Sequence, residues 1–303
     1  MHRDRISAHQ CEEPLRGRRR PSQLFYQICA AALLNGYIAG FGSGRIFTGK
    51  SKAVCVPVLN CYSCPGALGS CPVGALQAEY GQRTFPFYVL GTLMVFGALF
   101  GRLVCGLICP FGFVQDLLHR IPLRKWKVNP KADKAGRKLK YVVLAVMLII
   151  LPLIALAGSG VIEPYFCKYI CPAGTLEASI PLMIADPRLR AAAGALFDWK
   201  VLVLAVIVVL SVKIHRPFCK YLCPLGAFYS FFNKFSFYHM SVDRDACIDC
   251  GKCREVCPMD VDVTADANSP ECIRCGKCRD ACPVSAIDSG FRERSGAGRR
   301  ESC

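Results

Sequence analysis

The sequence lacks the short motifs by which many enzymes bind nucleotides or activate a nucleophile. It has no glycine-rich phosphate loop, no Rossmann fingerprint and no serine-histidine-aspartate arrangement. We therefore expect neither a nucleotide-binding motif of these types nor a hydrolytic site. Haem attachment would need Cys-x-x-Cys-His, and the segment "CYSCP" at residues 61–65 lacks the histidine. Acidic residues are also few, with 22 Asp and Glu against 38 Lys and Arg.

Apolar residues and cysteines are abundant instead. Hydrophobic residues make up 53% of the 303 residues, the mean hydropathy is +0.32, and the formal charge is still +16. This combination is typical of a polytopic membrane protein with basic loops. Small secreted disulfide scaffolds can be as rich in cysteine as this chain with its 21. Such scaffolds are short and lack long apolar runs, so metal or cluster ligation is the better explanation.

Four apolar stretches approach the ~20 residues that a hydrocarbon core needs. They cover residues 24–41, 85–104, 139–157 and 199–214. The uninterrupted apolar part of the fourth covers only residues 201–212, so Trp199 and the snorkelling stems of Lys200 and Lys213 must complete it. The first stretch follows "RGRRR" but has no clear small-residue cleavage site, so we expect a retained anchor.

Loop charges predict the orientation of the chain in the membrane. Residues 120–140 hold nine Lys and Arg against Asp133 alone, and the leader is also basic, so both should be cytoplasmic. Loops 42–84 and 158–198 carry few basic residues for their length and should face outward. We therefore expect an inner-membrane, multi-pass protein with cytoplasmic N- and C-termini. From residue 241 onward acids outnumber bases, so the positive charge marks sidedness and contact with anionic lipid, and not nucleic-acid binding.

Two cysteine runs in the C-terminal region give the strongest chemical signal. "CIDCGKCREVCP" and "CIRCGKCRDACP" share the spacing that holds a pair of [4Fe-4S] clusters, in which the fourth cysteine of each run ligates the other cluster. A zinc ribbon is the alternative, but its cysteine pairs are not followed by Cys-Pro in this register. The predicted ligand sets are Cys247, Cys250, Cys253 and Cys282 for cluster 1, and Cys272, Cys275, Cys278 and Cys257 for cluster 2.

A third cluster is predicted from two half-sites at the cytoplasmic edge of the membrane. Cys105 and Cys109 follow the second stretch, and Cys219 and Cys223 follow the fourth. Each pair is spaced by four, which puts both sulfurs on one face of a helical turn, and a proline follows. The separation between equivalent cysteines is 114 residues, as an internal two-helix repeat would give. Two pairs of buried free thiols are the alternative.

The outward loops hold six more cysteines, which exceed the need of one cluster. We assign Cys64, Cys71, Cys167 and Cys171 to a candidate outer cluster, with Cys61 and Cys55 as alternates. The Cys-Pro-x-Gly pattern makes Cys71 and Cys171 equivalent. Structural disulfides are the rival explanation outside the cytoplasm. The remaining cysteines fit no pattern; they are Cys11, Cys29 and Cys303.

The predicted fold is an α-helical polytopic membrane protein, with four transmembrane helices arranged as two parallel two-helix repeats. A bacterial-type 2[4Fe-4S] ferredoxin domain of the α+β class follows. The predicted segments are a basic leader over 1–23, a membrane domain over 24–240, a ferredoxin domain over 241–290 and a disordered tail over 291–303.

These features resemble the NapH-type polyferredoxins, membrane iron-sulfur subunits of quinol dehydrogenase systems that serve periplasmic nitrate reductase. The membrane core of the nitrous-oxide reductase regulator shares the paired motif. The resemblance covers roughly residues 85–290. It implies electron transfer between the quinone pool and a redox partner protein, through the half-site cysteines and the C-terminal clusters. The cysteine-rich outer loop departs from the simplest members, so the partner and the direction of electron flow stay open.

We therefore expect a membrane-bound electron carrier, a component of an oxidoreductase of the quinol dehydrogenase type. It would relay electrons between the quinone pool or an outer-face partner and the cytoplasmic-side clusters. A redox-sensing regulator or a maturation factor for a respiratory metalloenzyme is the alternative. His119, His215 and Asp116 could accept a quinol proton, although an isolated histidine at a membrane surface is more often an interfacial residue. Glu163 and Glu177 are explained equally well as solvated acids of the outer face.

Overall fold

The computed structural model describes residues 22–126, 128–158 and 161–291. Most of the predicted leader, almost all of the predicted tail, Cys11 and Cys303 lie outside the described residues. Within these residues the chain is mostly helical, as predicted. The helices are α1 Gln23–Leu34, α2 Ala39–Ser43, α3 Pro72–Gly81, α4 Phe87–Phe100, α5 Leu103–Leu107, α6 Pro110–His119, α7 Pro130–Ala145, α8 Leu151–Ala157, α9 Tyr165–Tyr169, α10 Pro172–Gly174, α11 Ile180–Ala185, α12 Pro187–Ala191, α13 Ala195–Lys213, α14 Pro217–Tyr221, α15 Pro224–Phe232, α16 Lys252–Glu255 and α17 Lys277–Asp280.

Two of the described helices are long and apolar enough to cross a membrane. One is α7 joined to α8 by a turn of π-helix, 28 residues from Pro130 to Ala157, and the other is α13 with 19 residues. The other two predicted spans, 24–41 and 85–104, contain helices of only 12 and 14 residues. At 1.5 Å per residue α4 rises about 21 Å, less than the ~30 Å of a hydrocarbon core. It ends at Gly101, whose φ of +54° an L-residue would rarely adopt.

Four helices start at a Cys-Pro pair, and this local rule positions the candidate site. Proline is the first residue of α3, α6, α10 and α15, and the cysteine before it has an extended backbone. Proline suits this position because it has no N–H to satisfy and its φ is preset for a helix. The same ring disfavours helical backbone at the preceding cysteine, so the previous helix stops there. Cys109, Cys171 and Cys223 therefore each lie at the junction of two helices, whereas Cys71 follows a loop.

One continuous apolar core contains cysteines from both the outer and the inner sets. Cys71 and Cys171 belong to this core, and so do Cys109 and Cys223. The side chain of Tyr229 in α15 is completely buried, and its hydroxyl donates a hydrogen bond to the carbonyl of Pro57, 3.1 Å away, in the outer loop. Burial raises the pKa of Tyr229, and the thiols of Cys105, Cys55, Cys71 and Cys109 raise it further. The tyrosine thus lies between the two sets.

The C-terminal unit is a small α+β fold packed against the helices. Strand β1, Tyr238–Val242, pairs antiparallel with β2, Ile287–Phe291, and Met240 faces Ser289. Arg274 ties the unit to the rest of the chain, because its buried guanidinium donates to the carbonyls of Phe100, at 3.0 Å, and Asn233, at 2.5 Å. The Asn233 amide donates to the carbonyl of Cys272 at 2.8 Å. These contacts orient the C-terminal cysteines toward the helices.

Candidate cluster-binding sites

The structure brings the eight C-terminal cysteines together in two groups of four. One enclosed cavity is lined by all four cysteines predicted for cluster 1, including Cys282 from the far end of the unit. A second cavity is lined by all four predicted for cluster 2, including Cys257 from the first run. Met240, Met259 and Ile273 close the second cavity with apolar surface. The second group is also the more buried, since Cys272 and Cys278 are buried whereas Cys250 is exposed.

The donor sets fit cubane clusters better than single metal ions. In the part of the chain that the structure describes, no three Cys, His, Asp or Glu side chains approach closely enough to hold one ion. A structural zinc ion needs four ligands at about 2.0 to 2.3 Å. A [4Fe-4S] cluster instead takes four cysteines at four different irons, so its ligands stand further apart. Each cavity is lined by four cysteines, the number of thiolates that one such cluster takes.

The two predicted half-sites meet in the structure. Burial raises the pKa of Cys105 to about 11, and the thiol of Cys219 acts in the same direction, so the two sulfurs are electrostatic neighbours across the 114-residue repeat. Burial also raises the pKa of Cys223, and the thiols of Cys219, Cys105 and Cys109 raise it further. Gln115 also links the halves, because its side-chain amide donates to the sulfur of Cys219 at 3.2 Å. All four cysteines therefore face one buried space.

Backbone N–H groups point at the second sulfur of each pair. The sulfur of Cys109 accepts a hydrogen bond from the amide of Gly112 at 3.4 Å, and that of Cys223 accepts one from Gly226 at 3.3 Å. In the outer set, Cys171 accepts one from Gly174 at 3.4 Å. The first turn of a helix has free N–H groups that favour negative charge. In each of these Cys-Pro-x-Gly motifs the glycine N–H lowers the pKa of the cysteine, although burial keeps that pKa above its usual value.

Two buried arginines exchange hydrogen bonds across the half-sites. Arg102 and Arg216 are each three residues before the first cysteine of a pair, and both are fully buried. Arg102 donates to the carbonyl of Cys219 at 3.3 Å, while Arg216 donates to that of Cys105 at 2.6 Å. The arginine of each half-site therefore binds the backbone of the opposite half-site. Sequence reasoning missed this pair, although the same 114-residue separation in Arg-x2-Cys-x3-Cys-Pro could have revealed it.

The glycine of each motif leaves room for the arginine of the opposite half. A Cβ on Gly112 would lie 3.1 Å from a terminal nitrogen of Arg216, tighter than most real contacts. A Cβ on Gly226 would lie 3.6 Å from a terminal nitrogen of Arg102. After burial, the charge of Arg102 is the largest influence on the pKa of Cys105, and it lowers that pKa. The arginines therefore favour thiolates at this site.

The inner half-sites pack directly on the C-terminal unit. Gly106 lies between Cys105 and Cys109, and a Cβ on it would collide with the carbonyl oxygen of Ile273, the residue after Cys272. Arg102 donates to the carbonyl of Pro270 at 2.8 Å and pairs with the carboxylate of Glu271 at 3.0 Å. Lys140 binds the same carboxylate at 2.6 Å. The inner site and the cluster 2 site are thus neighbours.

The outer set forms around Cys61 rather than around Cys64. Burial raises the pKa of Cys167, and the thiols of Cys71 and Cys61 raise it further. A Cβ on Gly174 would lie 3.6 Å from the sulfur of Cys61 and 3.8 Å from that of Cys171. These distances place Cys61 beside a cysteine of the Cys-Pro-x-Gly motif. The structure therefore groups Cys61, Cys71, Cys167 and Cys171.

Cys64, which the sequence assigned to this set, points elsewhere. Its sulfur is 3.7 Å from the side-chain oxygen of Asn35 at the end of α1. Cys55 lies in the apolar core with Cys71 and Cys171, and its pKa is raised mainly by burial and by the thiol of Cys71. No disulfide joins any of the described cysteines. The ligand set stays a prediction; the loop conformation favours Cys61, which the sequence named as an alternate, because its sulfur lies nearer the Cys171 motif.

The Cys61 assignment gives a direct test. If Cys61 completes the outer set, Cys61→Ser should remove one cluster from anaerobically reconstituted protein, about four irons per chain. Cys64→Ser is the matched control, and it should leave the iron content unchanged because its sulfur faces Asn35. Iron analysis with EPR of the reduced protein measures both. Loss of iron with Cys64→Ser and not with Cys61→Ser would restore the original assignment.

Glu177 is not the solvated acid that the sequence suggested. Burial raises its pKa to about 7, and its carboxylate accepts a hydrogen bond from the amide of Cys61 at 2.8 Å. Glu163 does remain partly exposed, and it pairs with Lys168 at 2.6 Å. The outer set therefore has a half-buried carboxyl group beside it, whereas the inner set has two guanidinium groups, each paired with a carboxylate.

Asp116 is an ion-pair partner and not a free base. It binds Arg216 at 2.5 Å and the ring of His215 at 3.1 Å, and Gln27 donates to it at 2.8 Å. Burial opposes its charge, but the hydrogen bonds from Arg216 and His215 outweigh burial and hold its pKa well below the usual range. Asp116 is therefore a poor proton acceptor at neutral pH. His119 packs edge-on against His215 with ring centres 5.3 Å apart.

Comparison with known proteins places the chain among iron-sulfur proteins. Residues 82–129, 144–178 and 196–238 match the family described as "4Fe-4S binding domain", and residues 239–283 match the "4Fe-4S dicluster domain". The first match includes the inner half-sites, Cys167 and Cys171, but not residues 55–71. The second includes all eight C-terminal cysteines. No solved structure matches the chain.

Curated relatives carry ferredoxin-type names. The methylamine utilization ferredoxin-type protein MauN of Paracoccus denitrificans is 28% identical over 77% of this chain and 73% of its own length. The ferredoxin-type protein NapH of Escherichia coli is 27% identical over 52% of this chain and 47% of its own length. NapH of Haemophilus influenzae is 27% identical over 55% of this chain and 51% of its own length. The chain thus spans about half the length of these two NapH proteins.

Proposed function

We propose that this chain carries electrons across the membrane. The proposal starts from its membership in the NapH-type polyferredoxins with multiple [4Fe-4S] clusters. The quinone pool or an outer-face redox partner would be at one end. A cytoplasmic partner protein would be at the other. One-electron transfer is the chemistry that [4Fe-4S] clusters supply when bound. The remaining question is what the side chains of this chain contribute.

The observation that carries this proposal is the packing of Gly106 on Ile273. It joins the inner half-sites to the cluster 2 cysteines with no side chain between the two backbones. On the other side, Tyr229 connects the inner set to the outer loop through Pro57. The four ligand sets therefore follow one another as outer, inner, cluster 2 and cluster 1. Exposed Cys250 lies at the cytoplasmic end of this series, where a partner could approach.

The surrounding side chains would keep the inner site dry and charge-balanced. An oxidised cubane with four thiolates carries a net negative charge, which is costly to bury unless it is compensated. Arg102, Arg216 and Lys140 are paired with only two carboxylates, Glu271 and Asp116, so this group of side chains keeps an excess positive charge. Gln115 and two backbone amides supply hydrogen bonds to the sulfurs. Phe111 and Phe218, both buried, pack edge-on beside the cysteines and exclude water. This environment would stabilise the added electron.

The membrane placement is part of the same proposal. The helix Pro130–Ala157 and α13 would span the bilayer. The shorter helices α1 and α4 would cross with the help of the segments that follow them. The basic residues of loop 120–140 would keep that loop and the C-terminal unit in the cytoplasm, next to anionic lipid. The proposed location is accordingly the inner membrane, with both termini inside.

Purified protein tests the proposal through its iron content and its reduction. Anaerobically isolated full-length protein in nanodiscs should contain about 16 irons, four for each of four cysteine sets. A quinol analogue should reduce part of these clusters, as seen by EPR, and an added cytoplasmic electron acceptor should reoxidise them. About eight irons with no response to quinol would contradict the transmembrane relay. Reduction without any onward transfer would favour a redox sensor instead.

A further inference from the structure

A large basic cavity lies where the C-terminal unit meets the cytoplasmic ends of the long helices. Its volume is about 810 Å³, within the usual range for small-molecule sites. Loop residues before α7, the end of α13 and the start of α17 all contribute to it. Its wall includes Trp126, Lys134, Lys213, His215, Cys257 and Lys277.

The acids in the cavity wall are already neutralised. Asp133 is bound by Arg137 and by Lys220, the latter at 2.8 Å. Lys220 also binds Asp260 at 2.8 Å, and the third acid, Asp262, pairs with an arginine of the same wall. None of the three carboxylates is left to compensate a further cation. The cavity therefore has a net positive charge.

Three lysines in the wall have no such partner. Within residues 22–126, 128–158 and 161–291, the side chains of Lys134, Lys213 and Lys277 make no hydrogen bond or ion pair; Lys134 and Lys277 are exposed and Lys213 is half-buried. They come from α7, α13 and α17, three elements distant in sequence. Ammonium groups that line one cavity without carboxylate partners favour an anionic ligand, and lysine binds phosphate as a point charge.

Other groups in the wall point to a ligand larger than phosphate. The Nδ1 atom of His215 is buried and has no hydrogen-bond partner, although its Nε2 atom contacts Asp116 at 3.1 Å. Such a buried polar atom requires a partner that a bound molecule could supply. Trp126 offers an aromatic face in the same wall. Cys257 and Pro258 place the cavity directly beside the cluster 2 site.

We propose that this cavity binds a phosphate ester of nucleotide size with a planar ring, of which flavin mononucleotide is the probe of choice. The phosphate would contact Lys134, Lys213 and Lys277, and the ring would lie along Trp126 near Cys257. A lipid headgroup shares the phosphate chemistry, but it has no planar ring for this wall. No sequence motif predicts the site, because its lysines come from three separate helices. The proposal concerns binding and goes beyond the electron relay.

Calorimetric titration of the cluster-loaded protein in phosphatidylcholine nanodiscs tests it. Flavin mononucleotide should bind with a micromolar Kd, and riboflavin, which lacks the phosphate, should bind at least about tenfold more weakly. Lys134→Gln and Lys213→Gln should each raise the Kd about tenfold. Lys131→Gln on the same helix is the matched control, because Lys131 is exposed and outside the cavity, and it should leave the Kd unchanged.

Several outcomes would overturn the proposal. Equal binding of riboflavin and flavin mononucleotide would mean that the lysines hold no phosphate. An equal loss of affinity for flavin mononucleotide in Lys131→Gln and Lys134→Gln would mean that surface charge acts diffusely and not at the cavity. Loss of binding in nanodiscs with phosphatidylglycerol would assign the cavity to a lipid headgroup. Because Kd is measured without electron transfer, these results are independent of whether quinol reduces the clusters.

Discussion

Serine at Cys109 or at Cys223 should each abolish one and the same EPR signal. The two residues are 114 positions apart, yet both face the buried space between Arg102 and Arg216. One missing thiolate leaves an iron of the inner cluster without its protein ligand. We expect each variant to lose about four irons per chain. The C-terminal clusters should stay reducible by dithionite, because their eight cysteines line separate cavities.

The double variant separates one shared site from two independent ones. Cys109→Ser with Cys223→Ser should lose no more iron than either single variant, since residues that act as one unit fail together. Cys29→Ser is a suitable control, because Cys29 is exposed on α1 and lies in no predicted set. Twice the iron loss in the double variant would mean two separate sites. An unchanged iron content in both single variants would mean that these cysteines are buried free thiols and hold no cluster.

Replacing either buried arginine by glutamine should make the inner cluster harder to reduce. Arg102 and Arg216 are fully buried, and each donates to the backbone of the opposite half-site. Losing one such charge should cost the reduced state about 1 to 2 kcal/mol at the effective dielectric constants of proteins. For a one-electron couple this corresponds to a potential lower by roughly 40 to 90 mV. An EPR-monitored redox titration measures the shift.

Charge-conserving variants distinguish this electrostatic role from a structural one. Arg216→Lys keeps the positive charge but loses the forked hydrogen bonds, so it should recover most of the potential lost in Arg216→Gln. The signals of the C-terminal clusters serve as an internal reference for folding. Equal potentials in Arg216→Gln and the unaltered protein would contradict the proposed role. A lowered potential that lysine does not restore would show that hydrogen-bond geometry, and not charge, is responsible.

The sequence alone determined the features that depend on local spacing. Two runs of Cys-x2-Cys-x2-Cys-x3-Cys-Pro define the C-terminal groups, and the structure brings the same eight cysteines around two cavities. The 114-residue repeat likewise paired half-sites that meet in the fold. The half-site motif can be recognised because proline after Cys109 and after Cys223 ends one helix and starts the next. The mostly helical class follows from long apolar stretches of the same kind.

Tertiary structure alone decided the features that depend on how distant segments pack. Loop packing turned Cys64 toward Asn35 and brought Cys61 beside Cys171, and no spacing encodes that choice. Packing left Glu177 only half-buried and raised its pKa to about 7, because a carboxyl group's environment comes from segments remote in sequence. Apolar runs predicted four spans of similar length, whereas Gly101 ends α4 early, with its backbone against the side chain of Asn233 from the opposite repeat. Composition measures how apolar a segment is, but only three-dimensional contacts determine where its helix stops and which groups its side chains meet.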